Sequence, residues 1–164
     1  MSKSQEIVAR VRIYLRENGL IVPREAVKDF YSQIIKLSGF GLGGILTLAG
    51  KKAGNTAANI LRELMEEGES SEDYVVEYIS VFLKEAGIGN MEKWEGNKGN
   101  FKIFIKGSFF ATGIKSRKPA CLPLQGALVG IFEGITGNRW DCKEVECTAQ
   151  GKEFCVFELK KKQL

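Results

Sequence analysis

Apolar residues in the first half of the chain recur every three to four positions, which is the period of an amphipathic helix. Four helices are predicted there, each bounded by a glycine, a proline or a capping serine. The buried stripe predicted for the second helix consists of Val27, Phe30, Ile34 and Leu37. The first helix ends at Asn18 and Gly19, the second begins at Pro23 and ends at Ser38 and Gly39, the third covers residues 44–65, and the fourth ends at Gly87.

The period changes to two after Gly87, which is the pattern of β-strands. Helical spacing returns once more and stops at Gly137. The order helices, hairpin, helix, hairpin predicts a single α+β domain over residues 1–164, with N-terminal helices packed on an antiparallel sheet. The predicted strands are 91–95, 101–110, 140–148 and 153–159, and the helix between the two hairpins covers 122–136.

The third helix carries small residues at steps of three and four, so that they form a row on one face. Such a face lets another backbone or a ligand come close, and it would suit self-association of two copies of the chain. Because homodimers are the commonest oligomers, a homodimer is the expected assembly. The row consists of Gly50, Gly54, Ala57 and Ala58.

The most informative feature of the composition is the absence of histidine from all 164 residues. Without an imidazole the chain cannot build a Ser-His-Asp triad, a Cys-His pair or an all-histidine zinc site. Much of hydrolase and acyl-transfer chemistry is therefore not expected of this chain.

Charge and hydropathy limit the expected partners and location. The chain has 24 basic and 20 acidic side chains, a net charge of +4, and its densest basic run is residues 160–162. We expect that terminal run to fray, and nucleic acid is not an expected partner. The longest nearly uncharged stretch, residues 37–49, is too short to span a bilayer. The polar N-terminus shows no secretion signal, which predicts a cytoplasmic protein without a membrane span.

The four cysteines lie close together in sequence, at Cys121, Cys142, Cys147 and Cys155. Because disulfides are disfavoured in a reducing compartment, this clustering points toward a metal site. The alternative is that the four cysteines are small buried apolar residues. Spacing alone leaves both explanations open, since no C-x-x-C pair is present.

The last two cysteines stand in the segment EVECTAQGKEFCVFEL, residues 144–159. This segment resembles the closing signature of the 4-vinyl reductase domain family, also described as hydrocarbon-binding domains. The resemblance extends more loosely over nearly the whole chain, and the family is related in fold to subunits of transport protein particles. The residues that carry the resemblance are Glu144, Cys147, Gly151, Cys155 and Phe157.

The resemblance implies a metal site. In zinc-bearing members of the family, the metal is held by a cysteine before the last helix, a glutamate, and two cysteines of the closing hairpin. Three thiolates and one carboxylate would fill the four positions of a structural zinc and leave none for water. Carried over residue by residue, the ligands are Cys121, Glu144, Cys147 and Cys155.

One feature of this ligand set conflicts with regular strand geometry. Glu144 and Cys147 are three residues apart, so an ideal strand would point them to opposite faces of the sheet. A bulge or the end of the strand must therefore intervene. Cys142 shares the parity of Glu144 and is the competing ligand, which would give an all-thiolate site. The resemblance favours the glutamate.

The resemblance also implies an apolar cavity between the helices and the sheet, with ordinary core packing as the alternative. The predicted pocket residues are Phe101, Ile103, Leu124, Leu128 and Phe132.

We therefore expect a zinc-stabilised domain that binds a small apolar molecule, hydrocarbon-like or aromatic, as a sensor or carrier rather than a catalyst. One alternative is a vinyl reductase, although the chain shows no nicotinamide, flavin or iron–sulfur signature. The other is a homodimeric assembly protein.

Overall fold

The structure, a computed structural model, describes residues 2–37 and 41–163. Within them the elements follow the order helices, hairpin, helix, hairpin, so the α+β fold class predicted from the sequence is confirmed. None of the described helices has the length and apolar character needed to cross a membrane. The helices are α1 (Lys3–Asn18), α2 (Arg24–Leu37), α3 (Gly43–Leu64), α4 (Glu72–Glu85) and α5 (Leu122–Thr136), and the strands are β1 (Asn90–Asn97), β2 (Asn100–Lys106), β3 (Trp140–Glu146) and β4 (Cys155–Lys161).

Capping residues define the start of α1 and the end of α5, whereas Ser71, at the predicted cap of α4, makes no side-chain capping hydrogen bond. Ser2 and Gln5 form a capping box at the start of α1. The Gln5 N–H donates to Ser2 Oγ at 3.4 Å, and the Ser2 N–H donates to Gln5 Oε1 at 2.8 Å. Helix α5 ends at Gly137, whose left-handed φ of 68° suits a residue without a β-carbon. The predicted stop of α2 at Ser38 and Gly39 lies outside the described residues.

The strands form one antiparallel sheet in the order β1-β2-β4-β3, so β4 lies between β2 and β3. Ile103 of β2 and Phe157 of β4 are direct cross-strand partners, and both are fully buried on the face that meets the helices. Strand β2 ends at Lys106 and not at Phe110 as predicted. The reason is that Gly107 adopts a left-handed φ of 62°, which interrupts the extended run.

Helices α3 and α5 pack backbone against backbone through glycine. A β-carbon at Gly50 would lie 2.0 Å from the carbonyl oxygen of Pro123, and one at Gly126 would lie 1.9 Å from that of Thr47. The small-residue row of α3 is therefore filled by α5 of the same chain. The close approach of another backbone, predicted from this row, is therefore confirmed, and that backbone belongs to the same chain. At Gly50 and Gly54 no space remains for a ligand or for a second copy.

Helix α2 buries less apolar surface than its predicted stripe requires. Phe30 and Leu37 are 67% and 56% exposed, whereas Tyr31 is buried. The Tyr31 hydroxyl donates a 2.6 Å hydrogen bond to the carbonyl oxygen of Ala120, just before α5. Val27 and Ile34 of the predicted stripe are half-buried beside Tyr31, so the prediction is wrong for Phe30 and Leu37.

The end of β4 is held by the sheet. The N–H of Lys161 donates to the carbonyl of Gly99 at 2.7 Å, and the N–H of Lys162 donates to that of Arg139 at 2.8 Å. The expectation that this basic run frays is wrong as far as Lys162, because backbone hydrogen bonds anchor it on both sides.

Candidate metal centre

Four buried side chains meet where α5, β3 and β4 come together. Cys121 immediately precedes α5, Glu144 lies in β3, Cys147 follows β3, and Cys155 is the first residue of β4. Their three sulfur atoms and one carboxylate oxygen all lie within 4.8 Å of one another. Each residue is at most 2% exposed. We call these four residues the cysteine–glutamate cluster.

The odd spacing of Glu144 and Cys147 is accommodated by an irregular end of β3. The register of β3 against β4 shifts between Glu144 and Glu146, which makes Val145 a bulge. Strand β3 ends at Glu146, and Cys147 begins the turn toward β4. The bulge and the strand end, either of which the odd spacing required, are therefore both present. They let the side chains of Glu144 and Cys147 converge.

Short contacts link the sulfur atoms to one another and to nearby donors. Cys155 Sγ lies 3.5 Å from Cys121 Sγ and 3.7 Å from Cys147 Sγ. The backbone N–H of Thr148 donates to Cys155 Sγ at 3.4 Å. Ser108 Oγ lies 3.2 Å from Cys121 Sγ. Because a hydrogen-bond donor stabilises a negatively charged sulfur, the Thr148 N–H favours the thiolate form of Cys155.

The two carboxylate oxygens of Glu144 have different surroundings. Oε2 accepts a 2.9 Å hydrogen bond from the backbone N–H of Cys121. Oε1 is buried and has no hydrogen-bond partner among the residues that the structure describes. An unsatisfied buried acceptor of this kind costs about 1–3 kcal/mol, and more if it is charged. A cation bound in the cluster would offset this cost, so the orphaned oxygen fits a metal ion.

The backbone of Glu144 is also held in place. Its N–H donates to Oε1 of Gln125, one turn into α5, at 2.9 Å. Glu144 is therefore held at two points near the start of α5: the Cys121 N–H donates to its carboxylate, and the Gln125 side chain accepts from its backbone N–H. This is the arrangement expected of a ligand whose orientation is set by its neighbours.

Burial and hydrogen bonding move the pKa values of the cluster apart. Burial raises the pKa of Glu144 to about 8, and the neighbouring Cys147 adds to the increase. Burial likewise raises the pKa of the Cys121 thiol. Hydrogen bonds from Cys121 and Cys147 lower the pKa of Cys155 to about 4. Without a metal, Glu144 and Cys121 therefore tend to keep their protons while Cys155 loses its own. A cation that binds the cluster would displace the remaining protons.

Cys142 lies outside the cluster. It is buried in β3, two residues before Glu144, but its sulfur is not part of the group of converging donors found among the described residues. Burial raises the pKa of its thiol. Cys147 follows the bulge and reaches the cluster instead, so the geometry favours the set with Glu144 over the all-thiolate alternative.

Four polar residues near the cluster were missed in the sequence: Tyr31, Ser108, Gln125 and Thr148. Gln125 stands four residues after Cys121 in a helix start that is otherwise apolar, and that spacing could have indicated it. Ser108 has no such local signal, because it reaches Cys121 only through the loop that follows β2.

The five predicted pocket residues lie in one hydrophobic core, each at most 3% exposed. Phe101 of β2 faces Phe132 of α5, with ring centroids 5.7 Å apart. Trp140, which was not among the predicted residues, lies 4.7 Å from Phe132. The role of the five as a pocket lining stays a prediction. They are Phe101, Ile103, Leu124, Leu128 and Phe132.

Residues 101–161 match the model of the vinyl-4-reductase (V-4-R) domain, a segment that contains all four cluster residues. The resemblance of the closing segment to 4-vinyl reductase domains is thereby confirmed. The sequence matches no curated protein.

Several solved structures share the fold at low sequence identity. The phenol-responsive sensory domain of the transcription activator PoxR, with phenol, is 16% identical, with 98% of this chain and 91% of that chain covered and a TM-score of 0.76. A vinyl-4-reductase family protein from Methanocaldococcus jannaschii is 19% identical, with 99% and 97% covered and a TM-score of 0.63.

A trafficking protein particle complex subunit 3 from Naegleria fowleri, covalently bound to palmitic acid, is 15% identical, with 85% of this chain and 95% of that chain covered and a TM-score of 0.67. The predicted relation in fold to subunits of transport protein particles is therefore confirmed.

Proposed function

We propose that this chain, which matches the vinyl-4-reductase domain over residues 101–161, is a zinc-stabilised domain that binds a small apolar molecule and acts as a sensor or carrier rather than a catalyst. The observation that carries the proposal is the buried cysteine–glutamate cluster with its orphaned Glu144 Oε1. Cysteine sulfur and carboxylate oxygen are both zinc ligands, and four of them complete the tetrahedral coordination of a structural zinc. A cytoplasmic location, where thiols stay reduced, is part of the proposal.

The proposed zinc has a structural role. Its ligands would come from the residue before α5, from β3 and its end, and from the start of β4, so the ion would join the last helix to both strands of the closing hairpin. Four protein ligands leave no position for a water, and a zinc of this kind supplies folding free energy rather than a nucleophile.

The proposed ligand is apolar for two reasons. The PoxR sensory domain is described as phenol-responsive, and the Naegleria subunit is described as bound to palmitic acid, so proteins of this fold hold apolar molecules. In this chain β2 and α5 face each other through the five predicted pocket residues, and all five are aromatic or aliphatic. We propose those five side chains as the ligand contacts.

Metal analysis of the purified protein tests the zinc site. We expect one zinc per chain in the wild type, and loss of zinc with a lower melting temperature in Cys155→Ser. Cys142→Ser is the matched control, because it makes the same change at a buried cysteine outside the cluster. Equal zinc content in the two variants, or no zinc in the wild type prepared without chelator, would contradict the assignment.

Native mass spectrometry of the full chain, with phenol and palmitate as probes, tests the ligand site. We expect an adduct that Leu128→Phe weakens, because the added volume would compete with a ligand among the five predicted pocket side chains. Ile13→Phe, at a position 59% exposed on α1, is the control that should retain the adduct. Adducts of equal intensity in both variants would place the ligand elsewhere.

Assembly is the second candidate function, because apolar side chains remain exposed in the N-terminal part of the chain. With the small-residue row of α3 filled, these side chains would have to supply the interface of a homodimer. Sedimentation velocity should give twice the 18.2 kDa of the chain and a monomer for Ile21→Glu. A monomeric wild type would remove this candidate. The exposed residues are Leu20, Ile21, Val22, Phe30 and Leu37.

A further inference from the structure

A basic depression of about 600 Å³ lies at the end of the sheet remote from the cysteine–glutamate cluster. Its walls are the turn between β1 and β2, the turn between α5 and β3, and the end of β4. Four cationic side chains and no acidic side chain line it. The four are Lys98, Arg139, Lys161 and Lys162.

These cations form few close ion pairs, and the carboxylates of Glu133 and Asp141 line an adjoining groove instead of the depression itself. Among the described residues, ion pairs within 4.0 Å do not include Lys98, Arg139 or Lys162. Lys161 has only Glu72, at 3.9 Å. Since like charges around one depression repel, an anion bound there would relieve the repulsion.

The cations are attached to a rigid backbone. Lys161 and Lys162 are held by hydrogen bonds to the carbonyls of Gly99 and Arg139, so three of the four lie on paired strands or directly beside them. The depression is therefore preorganised, which reduces the conformational entropy that binding must cost.

A second cavity, of about 730 Å³, adjoins the basic depression and shares Arg139 and Lys162 with it. It is a groove between α3, α5 and β3, lined by apolar Leu48 and Val129 and by charged residues that include Glu133 and Asp141. Each volume lies within the range of small-molecule sites. Neither cavity is lined by a residue of the cysteine–glutamate cluster.

We propose that the two cavities together bind one small amphiphilic anion, with its phosphate or carboxylate in the basic depression and its aromatic or short aliphatic body in the groove. Arg139 and Lys162 lie at the junction of the two parts, where they would contact the charged group. This site goes beyond the proposed function, since it is distinct from the five predicted pocket residues, none of which lines either cavity.

Isothermal titration of the full chain with 1-naphthyl phosphate and 1-naphthoate tests the proposal, and the tighter of the two identifies the charged group. We expect at least one of them to bind at least tenfold more tightly than both 1-naphthol and inorganic phosphate, which each carry half of the recognised chemistry. The proposal would be overturned if 1-naphthol bound as tightly as both naphthyl anions. It would also be overturned if inorganic phosphate bound as tightly as 1-naphthyl phosphate.

Nuclear magnetic resonance locates the site through backbone amide signals. Those of Leu48 and Val129, which line the groove, should shift on binding, while that of Ile103, at a predicted pocket position, should not. Arg139→Gln and Lys98→Gln should each weaken binding about threefold, the effect of losing one exposed ion pair. Lys152→Gln makes the same charge change beyond the opposite end of β4 and should leave the affinity unchanged. Equal weakening in all three variants would refute the site.

Discussion

Replacing Gly126 by alanine tests the close packing of α3 against α5. A β-carbon at this position would lie 1.9 Å from the carbonyl oxygen of Thr47 and 2.7 Å from the backbone nitrogen of Lys51. Both atoms belong to the backbone of α3, so a side-chain rotation cannot relieve the clash. Because ordinary contact begins at 3.4 Å, the helices must separate by about 1.5 Å in a densely packed interior.

The expected loss of stability is the difference of two effects. Overpacking of a well-packed interface costs about 3 kcal/mol, and alanine is better than glycine in a helix by about 1 kcal/mol. The free energy of unfolding should therefore fall by about 2 kcal/mol. For a domain of this size that corresponds to a melting temperature lower by about 4–8 °C.

Urea denaturation and thermal melting of the metal-loaded protein measure this effect. Gly44→Ala is the matched control, because it lies in α3 with nothing within 4 Å of the added β-carbon. It should leave stability unchanged or raise it slightly. If Gly126→Ala were as stable as Gly44→Ala, the backbone contact between α3 and α5 would not exist in solution and the reasoning would be refuted.

Three further predictions concern other parts of the molecule. Tyr31→Phe removes the hydroxyl that fixes α2 and should cost about 1 kcal/mol, with faster hydrogen exchange in α2 than in α4; unchanged exchange would contradict it. Burial opposes ionisation of Glu69, but hydrogen bonds from the backbone and from Lys3 and Tyr78 lower its pKa to about 2. Its folded-state pKa is thus below its ordinary value of 4.5, so its stabilisation is present above pH 4.5 and lost as the pH falls toward 2. Glu69→Gln should therefore be less stable at pH 7 by up to about 3 kcal/mol and show a shallower acid decline in urea titrations; parallel curves would rule this out. Incubation with a strong zinc chelator should lower the melting temperature of the wild type more than that of Cys155→Ser, and equal shifts would show that the metal does not stabilise the fold.

The sequence alone determined the features that depend on neighbouring residues. Helical and strand periods and the glycine after α5 act over a few residues, so the element order follows from local pattern. The odd spacing of Glu144 and Cys147 is also a local property of the sequence. Because it is incompatible with a regular strand, it required the bulge that the structure shows at Val145.

The tertiary structure decided which of these residues meet. The face of α3 that carries Gly50 was predicted from its spacing, but only packing showed that α5 of the same chain fills it. The choice of Glu144 over Cys142, and the burial of Tyr31 instead of Phe30, likewise depend on partners far away in the chain. The physical reason is that periodicity states which side of an element is apolar or small, whereas its partner is selected by the packing of all elements together.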